Sequence, residues 1–158
     1  MNRPPMPPTD EPLQPRMVKI AVDTPGSATE KMWFELAEPS TARLRNIPVA
    51  ATWLVFGDLV LIGAAADGRP IVEAIVRRSH VDVVAMPATL AESERAWNAL
   101  RNLGATSQRL DDDEPAFVAA VPRDRLVEAE QMLEALGVDA EVQPAEPPPP
   151  GVAVLWLQ

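Results

Sequence analysis

Acid–base chemistry in this chain would have to pass through a short list of side chains. His80 is the single histidine, and there is no cysteine. An imidazole beside Arg77, Arg78 and Ser79 has the makings of a general base or an anion contact. One histidine gives no histidine pair for a metal. Asp58 could orient His80 if the fold brings them together, and Ser79 would then stand where a nucleophile stands. The G-x-S-x-G context of a hydrolase elbow is missing. The plainer expectation for His80 is a turn residue bonded to backbone, so His80 and Asp58 are weak catalytic candidates.

The other polar groups point to surfaces. Asp111, Asp112, Asp113 and Glu114 offer oxygen ligands to a hard cation, but the alternation, central glycine and distal glutamate of an EF-hand loop are absent. A solvated hairpin tip is expected there. Gly57, Asp58 and Gly63 fit no phosphate-loop pattern. Arg43, Arg45, Arg77 and Arg78 are candidates for a basic patch. Trp33, Trp53, Trp97 and Trp156 lie in apolar settings that suit cores. These residues imply no metal and no cofactor.

The elements that would position these groups are clearest between residues 81 and 143, where one strand–helix–strand pattern is written twice. An apolar run ends at Met86-Pro87, and another at Val121-Pro122. A helix follows each, stopped at Leu103-Gly104 and Leu136-Gly137. Two such units predict a ferredoxin-like βαββαβ sandwich. Strands near Val81–Met86 and Ala116–Val121 read as central and buried on both faces. Those at Thr106–Leu110 and Val138–Gln143 alternate as edges do. Thr89 and Glu92 have capping-box spacing. Leu90, Trp97, Leu100 and Leu103 predict one buried helical stripe, and Leu126, Ala129, Leu133 and Leu136 the other.

Charge is distributed unevenly. Of the net −9, residues 17 to 80 contribute zero, with seven basic and seven acidic side chains. Residues 81 to 143 carry five basic and thirteen acidic side chains, net −8. That half repels phosphate backbones, which disfavours nucleic acid, and attracts a basic partner. Asp111, Asp112, Asp113 and Glu114 are its candidate contacts. No apolar run approaches the ~18 residues that span a bilayer, and the start of the chain has prolines where a signal peptide has an apolar region. With no cysteine, a cytoplasmic location is expected.

Residues 17 to 80 predict five short strands, Met17–Val22, Lys31–Ala37, Ala42–Ile47, Gly57–Ala65 and Pro70–Arg77, in a small barrel-like half. Asp67-Gly68 marks a tight hairpin. The apolar segment from Pro48 to Phe56 predicts a buried crossing loop or helical turn at the barrel end. The run Ala42-Arg43-Leu44-Arg45-Asn46-Ile47-Pro48, then Val55-Phe56-Gly57-Asp58-Leu59-Val60, then Asp67-Gly68 and Arg77-Arg78-Ser79-His80, resembles a bacterial domain-of-unknown-function family. Its members carry R-L-x-N-I-P, G-D-x-V and S-G-H-S in this order. Here Ser79 meets His80 with no intervening glycine, and Val81 replaces the second serine. The resemblance spans roughly Val18 to Val142; it implies the same two-part α+β architecture and no activity.

The ends are proline-rich. Residues 1 to 16 read as a disordered leader. Pro147 to Pro150 form a stiff spacer, after which residues 151 to 158 predict an apolar strand carrying Trp156. That strand either covers the protein's own sheet or is offered to a partner or a second copy. The sequence therefore predicts a non-enzymatic binding or regulatory protein, immunity- or antitoxin-like, whose acidic half engages a basic protein. The alternative is a sensor with a small ligand between the halves, and the weaker one an enzyme acting through His80.

Overall fold

A computed structural model describes residues 16–26 and 28–155. The first sixteen residues as a disordered leader, and Trp156 as a contact, lie almost wholly or wholly outside the described residues. The described residues are mixed α+β, with two sheets and two α-helices. Among the described residues no helix is long and apolar enough to cross a membrane.

The first sheet is a meander of β1 (Met17–Asp23), β2 (Thr29–Leu36), β3 (Thr41–Leu44), β4 (Leu59–Ala64) and β5 (Pro70–Arg77), each antiparallel to the next. Period-two alternation turns Ile20 and Val22, Met32 and Phe34, and Ala42 and Leu44 inward to one core. Register shifts between β4 and β5 add local twist. The expected five-stranded barrel does not close among the described residues. β5 is paired on its far edge with a sixth strand, β10 (Ala153–Val154), which runs parallel to it. The tail thus occupies that edge at Ala74 and Ile75, and β1 lies close to β5 without pairing to it.

The segment between β3 and β4 is a looped plug with no helix. Ala51, Trp53, Leu54 and Val55 are buried. The Glu30 carboxylate accepts backbone N–H bonds from Val49, Ala50 and Ala51 at 2.9, 3.0 and 2.8 Å. Trp53 Nε1 donates to the Asp23 carbonyl at 2.7 Å. These bonds tie the plug to β1 and β2 and satisfy the N–H of buried Ala51, and they hold Thr52 in place.

The second sheet holds β6 (His80–Met86), β7 (Thr106–Arg109), β8 (Phe117–Pro122) and β9 (Asp139–Gln143) in the order β7-β8-β6-β9, all antiparallel. α1 (Leu90–Arg101) follows β6, and α2 (Leu126–Ala135) follows β8 after a single 3₁₀ turn. Val83, Ala85, Phe117, Ala119 and Val121 pack under Ala96, Leu100, Ala129 and Leu133. Thr89 Oγ1 accepts from the Glu92 N–H at 3.1 Å, and Glu92 reaches back to the Ala88 N–H at 3.0 Å, one residue earlier than the expected capping box.

Three expectations are corrected here. Leu90 and Leu136 are exposed, because the stripe of α1 rests on Ser93, Ala96 and Leu100, and that of α2 on Ala129 and Leu133. The central strands are buried on the helix side, at Val83, Ala85, Phe117, Ala119 and Val121, whereas on the other side only Ala120 is fully buried. The opposite side, with Asp82, Val84 and Val118, is half-buried and turned from the helices. His80 begins β6 rather than sitting in a turn.

Candidate functional site: the cleft between the sheets

Asp58 is fully buried, and Arg78 holds it as a fork: Nε lies 3.0 Å from Oδ1, and Nη2 2.9 Å from Oδ2. Oδ2 also accepts from the Val55 N–H at 2.9 Å, and Arg78 Nη2 donates to the Trp53 carbonyl at 2.9 Å. Burial pushes the Asp58 carboxyl up, against the opposing pull of Arg78. The pair ties the plug to the start of β6. Asp58 is therefore committed to Arg78 and is not placed as the partner of His80.

Ser79 Oγ lies 2.7 Å from His80 Nδ1 and 3.3 Å from the Gly57 carbonyl, which also accepts from Arg43 Nη1 at 2.9 Å. Phe56 packs edge-on against the imidazole, with ring centroids 5.3 Å apart. Burial lowers the His80 pKa, helped by Arg43 and Arg45 and opposed by Asp124. The imidazole is thus neutral at pH 7, and the carboxylate expected behind it is locked elsewhere. This is a packed junction between the two halves rather than a charge-relay arrangement.

Gly57 is required at this junction. Its φ is +86°, and a Cβ there would sit 2.6 Å from His80 Nδ1 and 2.9 Å from Ser79 Oγ. Gly57→Ala is expected to lose about 2–3 kcal/mol from the left-handed strain and the clash together. Chemical denaturation checks this; an unchanged midpoint would show that the junction yields easily.

The remaining candidates scatter. Arg45 pairs with Glu35 at 3.2 Å, Arg43 turns to Gly57, and Arg78 is withdrawn to Asp58. Arg43 and Arg78 thus meet at the Gly57–Asp58 junction, each engaged there, and Arg45 is paired on the neighbouring strand. Asp111 to Glu114 form an exposed turn in which the Glu114 N–H meets the Asp111 carbonyl. Among the described residues no group of three or more histidine, cysteine or acidic side chains is placed to hold a metal. Trp97 packs on Phe117 with centroids 5.2 Å apart and carries Arg109 over its face.

What the structure does bring together is a cleft of about 180 Å³ between the sheets. One wall is the plug, with Thr52 and Leu54; the other is the helix-free side of the second sheet, with Asp82, Gln108, Leu110 and Val118. Gln143, Pro144 and Ala145 bound it where the chain leaves β9. The tail then straps the two halves together. The Glu146 N–H donates to the Thr52 carbonyl at 3.1 Å, and β10 and the Leu155 N–H join β5. A second, shallower pocket adjoins it, sharing Asp82, Gln143, Pro144 and Ala145 and reaching His80, Arg78 and Arg123.

Two residues that line the main cleft, Asp82 and Thr52, each keep one buried oxygen, Oδ1 and Oγ1, without a hydrogen-bond partner. Such atoms are uncommon in folded proteins. Burial, and then the like charge of Asp58, raise the Asp82 pKa to about 6, against the pull of Arg78. Neither residue stands out by motif. The available signal was an aspartate inside the apolar run Val81-Asp82-Val83-Val84, facing the side of the sheet that no helix covers.

No family model matches the chain, and no curated protein matches it. It is similar to the crystal structure of a hypothetical protein from Neisseria gonorrhoeae, with 11% identity, 83% of this chain and 95% of that chain covered, and a TM-score of 0.47.

Proposed function

We propose that this is a non-enzymatic sensor or binding protein that holds a small ligand in the cleft between its two sheets. The observation that carries the reading is one concave space of mixed polar and apolar lining whose walls include Asp82 and Thr52, each keeping a buried oxygen, Oδ1 and Oγ1, without a partner. Commitment of Asp58 to Arg78 weighs against the enzyme alternative through His80. The strand order β7-β8-β6-β9 with two helices on one side supports a ferredoxin-like second half, as the duplicated pattern suggested, and the absence of cysteine is in keeping with a cytoplasmic protein. The motif resemblance to a bacterial domain-of-unknown-function family stands beside this reading and adds no activity to it.

The test is a fragment screen by thermal shift on the wild type and on Val118→Phe, which fills the cleft from β8. Fragments that raise Tm in the wild type and lose that effect in the variant support the reading. Hits indifferent to the substitution would refute it.

A second reading rests on the net −8 of residues 81 to 143 and the exposed turn Asp111 to Glu114. In it, the acidic half engages a basic protein, as an immunity or antitoxin protein would. Capture should then weaken steeply as salt rises, and captured partners that are uniformly acidic would contradict it.

A further inference from the structure

We propose that the ligand of the cleft is a small organic ammonium ion with a compact apolar body, its cationic head bound between Asp82 and Thr52. This rests on the cleft reading above and adds the chemical class. An ionised carboxylate only accepts hydrogen bonds, and a hydroxyl accepts as well as donates. Asp82 and Thr52 both line the cleft, and a small side-chain rotation that turns the covered Oδ1 and Oγ1 toward it lets a donor-rich head serve both; an ammonium supplies three N–H donors.

Charge decides between a cation and a neutral donor. The charged groups around Asp82 come from several elements. Asp58 precedes β4, Arg78 precedes β6, His80 opens β6, Arg109 ends β7, and Arg123 follows β8. Arg78 is forked onto Asp58. Arg109 lies over Trp97 and donates to Ser93 Oγ at 3.0 Å, on the helix side of the sheet. His80 is neutral at pH 7. The β8 and β9 residues paired with Asp82, Ala120 and Gln143, carry no charge. Arg123 borders only the adjoining shallower pocket, and Arg78 offsets Asp82 in part; the main cleft thus presents one carboxylate whose negative charge is incompletely compensated, and an anionic ligand would meet its repulsion. A metal ion would find one carboxylate where hard cations take six or more oxygens.

Size and walls set the rest of the ligand. A cavity of ~150 Å³ lined by apolar groups accommodates benzene, and this one is slightly larger at about 180 Å³. Leu54, Leu110 and Val118 supply apolar surface for a body of that size. Benzylamine is a suitable probe, with benzyl alcohol as its neutral counterpart.

The experiment titrates the full chain with each probe by calorimetry and amide NMR at pH 8 and pH 5, using wild type, Asp82→Asn and Thr52→Val. At pH 8 the wild type should prefer the amine by roughly tenfold or more, the range of a hydrogen bond to a charged group. Asp82→Asn should abolish that preference, and Thr52→Val should weaken it. With the Asp82 pKa near 6, amine affinity should fall about tenfold from pH 8 to pH 5 in the wild type. Asp82→Asn keeps His80 and should lack that fall. Equal binding of amine and alcohol in the cleft would overturn the ammonium class while leaving the cleft reading in place. Failure of both probes to move cleft amides would overturn both.

Discussion

Arg78→Ala should lower folding stability by about 3–5 kcal/mol, the range for removing one partner of a buried ion pair. The effect follows from what is left behind. Asp58 has no exposed surface, and its remaining protein partner would be the Val55 N–H. Trp53 would lose a donor to its carbonyl, so the plug would loosen from the start of β6. Arg78→Lys should fall between, since an ammonium keeps the charge without the fork. Adding Asp58→Asn to Arg78→Ala should restore much of the loss, because the amide is neutral and can still accept from Val55. The pH dependence has a defined sign. Burial already raises the Asp58 pKa, and loss of Arg78 raises it further. A carboxyl with a raised folded-state pKa binds its proton more tightly folded than unfolded, so its burial penalty is absent below the unfolded value and complete above the folded one. The Arg78→Ala defect should therefore be smaller at pH 4 than at pH 7. Urea denaturation across the double-mutant cycle measures this; additive losses at Arg78 and Asp58 would show that the pair does not act as a unit.

Asp58 also shows where sequence reasoning stops. Its neighbours suggested a strand start, and β4 does begin one residue later. Nothing local could say whether its carboxylate would meet His80 or Arg78, two residues apart at the β5–β6 junction. That choice depends on how the plug folds under the sheet, which Glu30 and Asp23 fix from 19 to 30 residues away. The repeated strand–helix–strand pattern was legible because each unit carries its own punctuation. Thr89 caps α1, and Gly104 and Gly137 take positive φ after the two helices. Leu90 and Leu136 were misplaced because they stand at the first residue of α1 and the C-cap of α2, outside the stripes that Ala96 and Leu100, and Ala129 and Leu133, bury. A strand after the proline run was expected, but which sheet edge it takes was not, because β10 and β5 meet only in the folded chain. Thr52 and Asp82 were harder still. Each sits in an apolar stretch that looks like core, and their meaning appears only when two distant segments enclose the same space.

Asp82→Asn should stabilise the protein by about 2–3 kcal/mol at pH 7, with the difference vanishing near pH 4. The magnitude follows from a carboxyl raised from 3.8 to about 6, at 1.36 kcal/mol for each pH unit. Its sign is that of a raised acid. Between pH 3.8 and about 6 the folded state holds a proton that the unfolded state has lost, so stability from this group falls as pH rises through that window. His80 works the other way: its lowered pKa costs stability as pH falls below 6.5. The comparison of wild type with Asp82→Asn cancels His80 and isolates Asp82. Denaturation midpoints at four or five pH values suffice, and a difference that stays constant from pH 4 to 7 would show that the carboxylate is not strained by burial. A group that weakens its own fold when empty-handed, yet sits in a cleft beside a second unpartnered oxygen, is what a binding site requires and a core does not. The same substitution that firms the fold should remove the preference for an amine, and that opposition of stability and binding is the expected mark of a site shaped for a cation.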